Sequence, residues 1–239
     1  MKNIIAFAVT FMLASALFAE NGVLAAEAND SEGAEYADDD LLFFLSAGVM
    51  LPYFCVHRTG DGTQNLAGIS FAAGGMAVDS ATGLTLALDV SVGALHTDRL
   101  PCSAVEGTLG NSYSAALGIG YAPVRTARTV IAFCAQTALW LYDFREERVH
   151  AYTSSAGTEL RRDVEVSALL FAFGVGARGC IQLDGNVCFC ANVGAYYALG
   201  AETCEYTAST SAGTRADREA HALRFPVAIT PTLGLCLRL

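Results

Sequence analysis

The chain has 239 residues, 53% of them hydrophobic and 16% charged, with a net charge of −10. The acidic balance and the lack of any basic cluster exclude a nucleic-acid binder. Beyond residue 40 no apolar run approaches the ~20 residues of a membrane-spanning helix, which argues against a helical membrane domain there.

Met1-Lys2 is followed by Ile4 to Leu17, an apolar run broken only by Thr10 and Ser15, with the small residues Ala16 and Ala19 around its end. One positive charge, a short apolar core and small residues beyond it predict a secretory signal peptide over residues 1–19, with cleavage as late as Ala26 an alternative. Residues 20–40 carry eight acidic groups and no basic one, which predicts a flexible acidic arm. Beyond residue 40 the balance is 16 acidic to 13 basic side chains, and all 13 are Arg. Residues 41–239 are expected to form one domain.

That domain alternates. Leu41–Phe54 and Leu66–Val78 are the fainter cases, and Gly74-Gly75 predicts a bulge in the second. Gly83–His96 sets Leu84, Leu86, Leu88, Val90 and Val92 against Thr85, Ala87, Asp89, Ser91 and Gly93. Asn111–Tyr121, Thr129–Tyr142, Val164–Ala177 and Val187–Leu199 repeat the pattern. Leu223–Leu239 is apolar at every odd position and small, polar or basic at every even one. A strict period of two means strands with one greasy face and one different face. Pro226 and Pro231 each remove a ladder donor, so bulges are expected there.

Eight strands follow, joined alternately by short and long connections. The short ones are Asp79–Gly83, Pro123–Arg128 and Gln182–Asn186, the last holding Asp184-Gly185, a hairpin signal. The long ones are Val56–Gln64, Thr97–Gly110, Asp143–Asp163 and Glu202–Glu219, all polar. Short turns at one rim and long loops at the other are the pattern of outer-membrane barrels. The second face is mostly Gly, Ala, Ser and Cys, which suits the cramped interior of an eight-strand barrel and not a solvent face. The predicted fold is therefore all-β, an eight-stranded antiparallel up-and-down transmembrane β-barrel, with both chain ends at the short-turn rim.

Gly174-Val-Gly-Ala-Arg-Gly179 matches a dinucleotide fingerprint letter for letter, but it lies in a strand with no helix after it, so the match is accidental. The lumen is expected to be lined by Asp89, Gln136, Trp140, Asn192, Tyr196 and Arg224. Asp89 is expected to pair with Arg224 or another inward Arg, because a buried carboxylate needs a partner. Cys134, Cys188, Cys190 and Cys236 read as small residues filling that lumen; Cys102 and Cys204 form a candidate loop disulfide. His57, His96, His150 and His221 lie at or near the long connections, where polar residues belong. No metal site, cofactor or catalytic constellation is expected, and no GxSxG elbow is present.

The opening Leu41-Leu-Phe-Phe-Leu-Ser-Ala-Gly-Val-Met-Leu-Pro52 resembles the first strand of the OmpW-type outer-membrane family. Thr230-Pro231-Thr-Leu-Gly-Leu-Cys-Leu-Arg-Leu239 is similar to that family's last strand, although its usual final aromatic is replaced by Leu239. The resemblance covers the two terminal strands. It implies a barrel in the bacterial outer membrane, surrounded by lipid and assembled by the outer-membrane machinery through the C-terminal strand. It also implies a narrow channel for small hydrophobic solutes. The alternative is a structural or adhesion barrel like the OmpX and OmpA transmembrane domains, working through its loops.

Overall fold

A computed structural model describes residues 41–58, 62–99, 106–126, 128–150, 160–210 and 213–239. The predicted signal peptide and acidic arm lie outside the described residues. Nine strand segments follow in chain order: β1 (Leu41–Met50), β2 (Tyr53–Arg58), β3 (Gly62–Asp79), β4 (Leu84–Arg99), β5 (Glu106–Arg125), β6 (Thr129–His150), β7 (Leu160–Asp184), β8 (Val187–Thr210) and β9 (Gly213–Arg238). Every pairing is antiparallel. From β2 to β9 each segment pairs with the next, and β1 joins β3; β1 and β2 also pair with β9, closing the ring. β1 and β2 are two halves of one stave, since both lie between β3 and β9 and only Leu51-Pro52 separates them. The ring has eight strands and up-and-down order.

Closure leaves no free edge, the condition a sheet must meet where no water can satisfy its backbone. It is made by Phe44–Met50 against Thr232–Arg238 and locked at the rim by the Leu239 amide, which donates to the Phe43 carbonyl at 2.9 Å. Of the bulges expected at the two prolines, only the one at Pro226 is present. Around Pro226 the register slips on both flanks, between Tyr197 and Gly200 on β8 and between Cys55 and His57 on β2. Pro231 stays in register with Val193. Its carbonyl accepts the Leu51 amide at 2.8 Å, where β1 ends.

Two expectations are corrected. Gly74-Gly75 carries no bulge: β3 keeps one register from Val78 to Leu66 against β4. The parity looked broken because Met76 and Val78, though large and apolar, are buried inside while Gly75 and Ala77 face outward. The long connections are also mostly strand. Arg99 pairs with Glu106, His150 with Leu160 and Thr210 with Gly213. In these upper segments the alternation persists with its polarity reversed. Tyr142, Phe144, Val164 and Val166 are buried, while Arg145, Glu165 and Ser167 face out.

The short turns follow local chemistry. Gly83 (φ 76°) and Gly185 (φ 50°) take backbone conformations closed to most side chains. The Asp79 carboxylate accepts the Ala81 and Thr82 amides at 2.9 and 2.8 Å, an Asx-type turn. The Thr82 amide foremost holds this exposed carboxyl below its ordinary value of 3.8. A lowered folded-state pKa contributes stability that is present above the unfolded value and lost as pH falls through the folded one. Asp79→Ala is therefore expected to lower the urea midpoint in detergent at pH 6, and the gap from wild type should close below pH ~3.8. A gap that widens on acidification would refute this capping role.

Candidate functional site: the barrel interior

The even-numbered residues of β3 and β6 and the odd-numbered residues of β4 point inward, and the interior stacks in three layers. At the short-turn end lie Leu42, Phe44, Met76, Val78 and Val130 with Cys180, Cys188, Cys190 and Cys236. At the other end Phe54, Leu66, Leu95, Trp140, Phe144 and Leu170 belong to one buried cluster. Three rings cross the bore there: Phe54 meets Trp140 at 5.0 Å between centroids, and Trp140 meets Tyr196 at 4.9 Å, both edge to face. That arrangement suits the ring quadrupole and adds ~0.5–1.5 kcal/mol per pair beyond area. Leu66, Leu95, Phe144 and Leu170 are 0% exposed.

Between the apolar layers is a polar one. Arg178 of β7 donates to Asp89 of β4 across the lumen, with a longer contact at 3.5 Å to the Gly75 carbonyl. The Tyr196 hydroxyl donates to Gln136 Oε1 at 2.6 Å, and Ser91 and Ser114 share a bond of 2.7 Å. Gly74 and Gly176 give these groups room. A Cβ on Gly74 would collide with the Asp89 carboxylate, and one on Gly176 would meet the Gln136 amide at 2.7 Å. A cavity of about 40 Å³ remains, lined by Met50, Asp89, Trp140, Arg178, Asn192 and Tyr196 among others. It has room for about three waters. Asn192 Oδ1 is buried there without a protein partner, the kind of atom an ordered water satisfies.

The structure thus gathers five of the six residues read as lumen-lining: Asp89, Gln136, Trp140, Asn192 and Tyr196. The inward Arg that meets Asp89 is Arg178, and the sixth residue, Arg224, is not placed in the lumen by the described side chains. Arg224 stands in the ladder opposite His57 on β2, well above the polar layer, and its side chain lies outside the described residues. Arg178 shares the inward parity of Gly174 and Gly176, so the sequence carried its direction. Which inward Arg reaches across the bore depends on strand tilt and height, which the alternation does not encode. The candidate disulfide cannot be placed, because Cys102 lies outside the described residues; Cys204 is buried inside the barrel. Sequence reasoning also missed Glu202, which is 0% exposed and accepts a bond of 2.9 Å from the Tyr142 hydroxyl. Its place in a polar stretch read as loop concealed it.

No protein-family model and no curated protein matches the chain. Among solved structures, a major outer membrane protein from Thermus thermophilus aligns at 14% identity over 84% of this chain and 100% of its own, TM-score 0.48. A TodX mutant described as a monoaromatic hydrocarbon channel aligns at 5% identity over 84% and 90%, TM-score 0.27. OccK9 (OpdG) of Pseudomonas aeruginosa aligns at 10% identity over 82% and 98%, TM-score 0.16. All three scores are below 0.5, so the fold rests on the strand ring itself. No residue role transfers.

Proposed function

We propose that this chain is an outer-membrane β-barrel that crosses the bilayer with its eight staves and keeps its lumen closed to water and ions. The observation that carries the reading is a full interior inside an apolar exterior. Leu45, Phe71, Leu88, Leu117, Phe133, Leu139, Phe173 and Leu235 are among the many large side chains left exposed outside. In water such a surface would far exceed the few hundred Å² that soluble monomers expose. On β6 the exposed outward face runs from Phe133 to Leu141 with only Thr137 polar, within the ~9–11 residues a tilted strand needs to cross. Above it His96, Asn111, Asp143 and Ser167 face out, as at a membrane–water boundary. Lipid is the partner this implies, with assembly machinery recognising the C-terminal strand. The OmpW-type likeness of the terminal strands belongs to the same proposal.

For the barrel's work, the filled interior favours the structural reading over the narrow channel. It would anchor a crown of strand hairpins above the membrane, OmpX- or OmpA-like and non-enzymatic, with the crown as its working surface. The channel for small hydrophobic molecules keeps one observation in its favour. The upper layer and much of the cavity wall are apolar and aromatic, and such contacts a hydrocarbon can replace.

Two measurements test this. A label introduced between β6 and β7 is expected to react on intact cells, and one at Pro123 is not; reversed accessibility sinks the orientation. In planar bilayers the purified barrel is expected to show no conductance steps. Equilibration of a monoaromatic solute across barrel-containing vesicles should be no faster than across empty ones. Solute entry abolished by filling the cavity with Ser91→Leu would establish the channel instead.

A further inference from the structure

Four cysteines meet at the short-turn end of the interior. Cys180 stands directly opposite Cys190 in the β7–β8 ladder, and Cys188 directly opposite Cys236 in the β8–β9 ladder. All four are buried free thiols. Directly opposed residues of an antiparallel pair have Cα atoms ~4.5 or ~5.5 Å apart, within the ~4.4–6.8 Å that a disulfide spans. Filling a narrow lumen calls for small residues and explains any one of these cysteines. It does not explain two cross-strand pairs on three consecutive staves.

We propose that Cys180–Cys190 and Cys188–Cys236 are two dithiol pairs that close to disulfides, tying β7 to β8 and β8 to β9. A soft-metal site is disfavoured by the geometry. The four sulfurs lie on one curved sheet face, and among the described residues no three His, Cys, Asp or Glu side chains converge as metal ligands. Of the three remaining described thiols none has an opposed cysteine; Cys204 is the candidate loop-disulfide partner of Cys102, and Cys134 and Cys55 act as internal controls. Cys134 is inward and buried but faces Gly120 and Gly176, and Cys55 faces Asn65 and Val227.

The oxidant is a disulfide compound, and burial places the exchange before the barrel shuts. A thiolate of the pair attacks one sulfur of the oxidant, forming a mixed disulfide and releasing one thiolate. The opposed cysteine, losing its proton to solvent, attacks the mixed disulfide and releases the second. Each pair loses two protons and two electrons; each oxidant molecule gains them as two thiols.

The test is refolding of the full chain from urea into detergent with glutathione disulfide, then alkylation in denaturant, trypsin digestion and mass spectrometry. Cys236 falls in the tryptic peptide 225–238, and Cys180, Cys188, Cys190 and Cys204 in 179–215, where fragment ions assign the bridged pair. The expected result is a Cys188–Cys236 link joining these two peptides and a Cys180–Cys190 bridge inside the second, while Cys134 and Cys55 stay fully alkylated. Cys236→Ser is expected to abolish the link and keep the internal bridge; if that variant shows no heat-dependent gel shift of a folded barrel, Cys188→Ala answers the same question. Full alkylation of all four thiols in refolded barrel overturns the proposal, as do bridges that include Cys134 equally. A stoichiometric soft metal bound to the purified barrel and lost in Cys236→Ser overturns it in favour of a thiolate metal site. These outcomes are separate from the membrane reading: a barrel that inserts into vesicles with all its thiols intact sinks this inference alone.

Discussion

Asp89→Ala is expected to destabilise the barrel by about 3–5 kcal/mol, the cost of leaving a buried charge without its partner. The Arg178 side chain is 8% exposed, and Asp89 is its ion-pair partner; its carbonyl contact at Gly75 is long. Removing the carboxylate leaves a guanidinium between two apolar layers, with a cavity of about three waters in place of its counter-charge. Removing both charges together, as Asp89→Leu with Arg178→Met, is expected to restore most of the loss, because a well-packed apolar pair of similar volume often matches a buried ion pair. Urea unfolding in detergent micelles reads both, provided each variant unfolds in one step. A cost below about 1 kcal/mol for the single variant would mean a hydrated, open lumen. The channel would then displace the closed barrel as the better reading.

Leu88→Arg is expected to cost about 2–4 kcal/mol in folding into vesicles, the penalty for a charge at the bilayer midplane on the lipid face of a barrel. Leu88 is half exposed, with Gly75 and Leu117 as its cross-strand neighbours, and it sits beside Asp89 near the middle of β4. Ala87→Ser, one residue away on the inner face, is expected to cost little, since a hydroxyl there turns toward the lumen. Equal tolerance at the two positions would mean that the faces are assigned the wrong way round.

The staves were legible wherever lipid-facing and lumen-facing side chains differ in size and polarity. Leu84 to Val92 and Leu233 to Leu237 announce their parity at every step. The turns were legible too, because Asp79, Gly83 and Gly185 have local chemistry that needs no tertiary context. Legibility failed where the environment outside changes from apolar to polar. Above Leu141 and below Leu169 the same strands continue, but Arg145 and Glu165 now face out and Phe144 and Val166 face in. A reader looking for greasy outward positions sees a loop there. In the interior, direction could be read and partnership could not. Asp89 and Arg178 lie on strands that are not neighbours, so their meeting depends on the curvature of the whole ring.

Closure between Phe44 and Arg238 also governs how the barrel forms. Every other seam joins strands adjacent in the chain, so seven of the eight can zip as hairpins from nearby residues. The last brings together residues almost 200 positions apart, a loop whose entropy costs on the order of 5 kcal/mol. Until that contact is made, an unclosed sheet has two bare edges whose backbone groups are unpaired. Hairpin growth is local and quick, whereas the distant contact comes late and only when the other staves have already curved the sheet. Stability gained at the β1–β9 seam is therefore expected to slow unfolding more than it speeds folding.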